Sequence, residues 1–159
     1  MRNHTIFTVA ASIAYLIAST IGVLAQETKI QILAPGRDGT EVRKSFIVKG
    51  SASIPSGTHL WVLTRREDFE GLWWPQGEGK VDPTSGEWKV SATFGTQDDV
   101  GWNFEITVIL VDDQSHIILR NYRNTAMKTG DWRPIELPKV AAPPVLRTVK
   151  KVGHIGDGS

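Results

Sequence analysis

From Thr28 onward, apolar and polar residues alternate in short runs separated by turn-forming clusters, the pattern of β-strands. Lys29-Ile30-Gln31-Ile32 alternates before the turn signal Pro35–Gly39. Phe46, Val48 and Gly50 share a face opposite Lys49 and Ser51, and Trp88, Val90, Ala92 and Phe94 alternate with Lys89, Ser91 and Thr93. Such strands keep one face on a core and the other in water. Two runs depart from strict alternation. Thr58 to Thr64 is β-branched and aromatic with apolar residues on both faces, which predicts a central strand covered on both sides. Asn103 to Asp112 keeps Phe104, Ile106, Val108 and Leu110 on one face, while the other changes from Glu105 and Thr107 to Ile109 and Val111. Only its second half therefore needs a second cover.

The next segment changes period and supplies that cover. Ile118, Leu119, Tyr122 and Ala126 fall on one helical stripe, with Asn121, Asn124 and Lys128 opposite. Asp112 or Asp113 suits the N-cap, Lys128 the last turn and Gly130 the terminating left-handed position. A helix over Gln114–Thr129 is predicted, packed on the back of the Phe104 strand. Leu72–Trp74 reads as a short strand held at an edge, because Pro75 has no N–H for a ladder. Trp132 to Pro144 is a proline-marked return, Val145 to Val152 a closing strand and Gly153–Ser159 a frayed tail. The fold class predicted is all-β: an antiparallel immunoglobulin-like β-sandwich of about seven strands, with one helix inserted before the last. Trp61 is the expected core tryptophan. One domain over residues 26–152 holds all of this.

Within that pattern, Ile32-x-x-Pro35-x-x-x-Gly39-x-x-Val42 is followed by Phe46-x-Val48-x-Gly50, Leu60-Trp61-Val62, Trp74-Pro75-Gln76, Gly86-x-Trp88 and Phe104-x-Ile106. This succession resembles bacterial extracellular immunoglobulin-like accessory modules, from about Ile30 to Asp113 plus the last strand. The resemblance implies a non-enzymatic module with a binding partner. It extends to fold more than to function, and the late helix is not part of a minimal sandwich.

Residues 1–25 read as a secretory signal peptide rather than as part of the domain. Arg2 precedes an uncharged run from Thr5 to Ala25 that ends Val23-Leu24-Ala25, with polar Gln26-Glu27 after it. The rival is an uncleaved anchor, but Ser12, Ser19 and Thr20 make the run a poor membrane span. Location outside the cytoplasm, secreted or periplasmic, is the expectation. Beyond the leader 17 basic residues face 17 acidic ones, and this balance argues against a nucleic-acid partner. Cys is absent, which removes disulfides, thiolate metal sites and cysteine nucleophiles.

The chemistry left to weigh is sparse. Asp98-Asp99 and Asp112-Asp113 flank the Phe104 strand, where a calcium site at one end of the sandwich is conceivable. Their spacing matches no calcium loop and helix capping already explains the second pair, so no metal site is expected. His59, His116 and His154 match no zinc spacing, and no Gly-x-Ser-x-Gly elbow or glycine-rich phosphate loop occurs. No cofactor is expected. Glu67, Asp68 and Glu70 alternate with Arg65 and Arg66 in what reads as a solvated turn. Trp61, Trp88 and Trp102 fit core or core-rim places. Trp73 and Trp74 are neighbours on a strand, so one must face away from the core. That ring either stacks on a partner or packs under the Arg65–Gly71 turn. The function expected is an exported, non-catalytic module recognising a glycan, an envelope component or a protein. Its site would comprise Trp73, Trp74, Gln76, Arg65 and Arg66. A structural protein pairing through a sandwich edge is the alternative, and a small hydrolase the third.

Overall fold

The computed structural model describes residues 27–153. The expected leader over residues 1–25 and the tail from residue 154 lie outside the described residues. The order is β1 (Lys29–Ala34), β2 (Thr40–Val42), β3 (Ser45–Ser53), β4 (Thr58–Arg66), β5 (Leu72–Glu78), β6 (Glu87–Thr93), β7 (Asn103–Asp112), α1 (Asp113–Thr129), β8 (Ile135–Glu136) and β9 (Val145–Lys151). Strands β1-β3-β6 form one antiparallel sheet, and β2-β9-β7-β4-β5-β8 the other. The second sheet is mixed, because β2 runs parallel to β9. Among the described residues the chain is thus mostly β with one α-helix, and the short strands β2 and β8 take the number beyond the seven expected.

The two sheets enclose a common apolar cluster. Val48, Trp88, Val90 and Ala92 enter it from the first sheet, and Leu60, Val62, Phe104, Ile106, Val108 and Leu110 from the second. These are the alternating positions of β3, β6 and β7, and one face of β4. The opposite face of β4 and β7 feeds a second cluster of Trp61, Leu63, Trp73, Ile109, Val111 and Leu119. Here α1 covers the late half of β7, as the change from Glu105 and Thr107 to Ile109 and Val111 demands. Trp61 therefore belongs beneath the helix, and Trp88 is the tryptophan between the sheets. Trp61 is a core tryptophan as expected, but of the layer under α1 rather than between the sheets, because strand parity puts it on the face opposite Leu60 and Val62.

The helix is capped as its sequence indicates. Asp112 Oδ1 accepts from Ser115 N at 2.8 Å, and Gly130 ends the helix with φ of 75°. Its buried face is Ser115, His116, Leu119 and Ala126, whereas Ile118 is 57% exposed. Two polar residues on the inward face displaced the apparent apolar stripe, so Ile118 is not a buried contact. Trp102 also departs from its expected core-rim place, being 40% exposed.

Candidate functional site

Two sheet edges meet without pairing along one side of the molecule. β8 covers only Leu72 and Trp73, so the edge expected for Leu72–Trp74 opens at Trp74 and continues to Glu78. β6 is the terminal strand of the other sheet and approaches it there. A β-bulge in the β4–β5 pairing supplies the link between them: Val62 pairs with Gly77 and Leu63 with Pro75, which leaves Gln76 unopposed. The freed Gln76 amide reaches across the seam. Its Nε2 donates to Thr64 Oγ1 at 2.9 Å and to the Trp74 carbonyl at 3.0 Å, and its Oε1 accepts from Thr93 N at 2.8 Å.

Alternation along β5 separates the tryptophan pair. Trp73 is buried in the cluster under α1, with the Arg65 guanidinium 4.4 Å over its ring. Arg65 Nε also pairs with Glu105. Trp74 faces the other way, into a cavity of about 760 Å³ walled by Phe69, Pro75, Met127 and Trp132. Its Nε1 donates to the Trp132 carbonyl at 3.0 Å, and the Phe69 ring meets it edge-on at 5.1 Å. Thr64, Gln76, Ser91 and Thr93 give the same cavity hydroxyl and amide groups. Of the five residues singled out from sequence, Arg66, Trp74 and Gln76 line this cavity, while Arg65 and Trp73 lie on the opposite face of the sheet.

Arg66 closes one end of the cavity with its charge already matched. It forks onto Asp68 at 2.6 and 2.8 Å and donates from Nη1 to Asp99 at 2.5 Å. Its plane lies 5.0 Å from the Phe69 centroid and 4.5 Å from that of Trp102. Arg65 and Arg66 are thus strand residues rather than part of the solvated turn. Asp99 lies in a single 3₁₀ turn, Gln97–Asp99. Burial opposes its charge, but hydrogen bonds from Thr96 N and from Arg66 outweigh that and hold the carboxyl below its ordinary range. Lys151, buried at the end of β9, donates to the Thr96 carbonyl beneath this turn. The two acid pairs do not meet. They stand at opposite ends of the ten-residue β7, roughly 30 Å apart at strand rise, and Asp112 is the helix cap.

A second cavity of about 360 Å³ continues the seam toward Glu78. Lys89 of β6 and Arg120 and Arg123 of α1 line it, and Arg123, Gln76 and Ser91 border both cavities. The Arg123 guanidinium lies over Gly77 here, with Cζ 3.9 Å from where a Cβ on that glycine would stand.

Two histidines that share no sequence motif meet at the start of α1. His59 of β4, Glu78 of β5 and His116 of α1 bring ligand-type atoms within 4.8 Å of one another. Their hydrogen bonds and ring planes oppose metal binding in this arrangement. Trp61 Nε1 donates to His116 Nδ1 at 3.1 Å, so the His116 proton sits on Nε2, the nitrogen an ion would need bare. The rings stack at 3.8 Å with 12° between planes, and lone pairs in parallel planes do not converge on one ion. His59 instead bridges carboxylates, 2.8 Å from Asp113 Oδ1 and 3.3 Å from Glu78 Oε1. Burial, then the charge of His59, pushes His116 below the ordinary imidazole value, with Arg120 adding to the shift and Glu78 and Asp113 opposing it. The group fastens α1 to β4 and β5.

No protein-family model matches the chain, and no curated protein matches it. Among solved structures, murine CRIg aligns over 80% of this chain and 98% of its own at 7% identity, with a TM-score of 0.32. A likeness of that degree bears on neither ligand nor partner. The site stands on its own geometry. Among the described residues, no helix is long and apolar enough to cross a membrane.

Proposed function

We propose that this protein is an exported, non-catalytic binding module that takes a saccharide against Trp74. The observation that carries the reading is the Trp74 ring itself, held between the Trp132 carbonyl and the Phe69 edge on the wall of a cavity of about 760 Å³. A ring fixed before binding loses little entropy when a sugar's C–H face stacks on it. Thr64, Gln76, Ser91 and Thr93 supply matching polar groups around that ring. The acid at the cavity, Asp99, is tied to Thr96 and Arg66, a poor arrangement for proton transfer and a good one for a rigid rim. The shared cluster between the sheets supports an immunoglobulin-type sandwich. The leader pattern supports a bacterial extracytoplasmic protein beginning at Gln26, which an intact mass on exported material checks.

Tryptophan-fluorescence titration with envelope and plant oligosaccharides tests the binding. Trp74→Ala should weaken any confirmed binding about tenfold or more, with little change in melting temperature. Trp73→Ala should do the reverse and cost about 3–5 kcal/mol of stability through the cavity it leaves. A confirmed saccharide titration unmoved by Trp74→Ala would place the site elsewhere.

A further inference from the structure

Resting on that reading, we infer that the saccharide is acidic: a carboxylate-bearing sugar whose ring stacks on Trp74 and whose carboxylate is received by Arg123. Arg123 stands where the two seam cavities join. Its Nε is buried and has no hydrogen-bond partner, and its polar contact among the described residues is a long one from Nη1 to Met127 Sδ, 3.8 Å. No carboxylate of the described residues pairs with it. The contrast with Arg66 in the same cavity is direct, since that guanidinium is already held by Asp68 and Asp99.

A guanidinium left short of acceptors at a cavity wall is a site for an oxyanion, and its planar fork matches a carboxylate. Lys89 and Arg120 line the adjoining cavity and add positive potential on the same side, against the single acid Glu78. An acidic sugar chain lying along the seam would meet first the aromatic wall and then these cations. A neutral sugar would bring the Arg123 guanidinium no charged acceptor and would forgo that charge-assisted hydrogen bond.

The test uses matched trimers that differ only at C6: β-1,4-linked glucuronate against cellotriose, and α-1,4-linked galacturonate against its galactose counterpart. Affinities are measured by fluorescence and calorimetry on the full chain. At least one uronate should bind about tenfold or more tighter than its neutral partner, the worth of one charge-assisted hydrogen bond. The advantage should shrink as salt rises. It should vanish in Arg123→Gln and persist in part in Arg123→Lys, which keeps the charge and guards against a folding artefact. Equal binding of acid and neutral trimers, or a preference that survives Arg123→Gln, would overturn the inference while leaving the Trp74 site in place. No binding by any of the four would overturn the saccharide reading itself.

Discussion

Gly50 is the residue at which the two-sheet packing is least forgiving. A Cβ there would stand 2.0 Å from the Gln31 carbonyl oxygen and 2.3 Å from Trp88 Cζ2. The first atom is backbone held in the β1–β3 ladder, and the second belongs to a ring that is 3% exposed. Neither can yield cheaply in a close-packed interior. Gly50→Ala should therefore cost roughly 3 kcal/mol or more, through overpacking rather than loss of a contact. Thermal melting checks it: an unchanged midpoint would mean that both the β1 backbone at Gln31 and the Trp88 ring can move aside without loss. Trp88 Nε1 is buried without a partner among the described residues, so this indole is present for its volume.

At the scale of the element, α1 is fixed by a polar fastening as well as by Leu119. His116 accepts from Trp61 Nε1 and stacks on His59, and both contacts use its neutral ring. The groups facing it are His59, Glu78, Arg120 and Asp113. Because its folded pKa lies below the ordinary imidazole value, its contribution to stability is complete above that value. It is lost as pH falls, since the unfolded chain takes up the proton first. Asp99 and Asp112 are held below their ordinary range and titrate lower still. Melting temperature should accordingly drop between about pH 7 and pH 5, and His116→Gln should flatten that slope while keeping an acceptor for Trp61. Parallel slopes in parent and variant would show that the pair does not govern the helix. The same fastening explains why the helical stripe misled at Ile118. Hydrophobic periodicity counts apolar residues, but the inward face here carries His116, hydrogen-bonded to Trp61, and Ser115, whose backbone N–H meets the Asp112 cap, which turns the helix away from Ile118.

Over the whole molecule, the two apolar clusters share β4 and β7, one on each face. A strand buried on both sides cannot leave one layer without exposing the other. The sheets and α1 should therefore unfold together. In urea, far-UV circular dichroism, which follows the secondary structure of all three layers, and tryptophan fluorescence, with Trp61 and Trp73 under the helix and Trp88 between the sheets, should give one midpoint. Two separated transitions would make the α1 layer an independent unit.

Strands β1, β3, β4, β6, β7 and β9, the helix and its caps follow from period and capping chemistry, which act between residues close in the chain. So does the parting of Trp73 from Trp74, since alternation is a property of the strand alone. Which face of β4 meets the other sheet was not local information, and it moved Trp61 under the helix and put Trp88 in its place. The seam was likewise invisible in sequence. Gln76 reaches Thr93 through a bulge whose position depends on pairing with β4, and Arg123 lines the same cavity as Trp74 only because α1 packs against β5. His59 and His116, on a strand and a helix with no common spacing, were brought together by packing. Local pattern decided the elements of this protein; the pairing and layering of distant segments decided which side chains share its cavity.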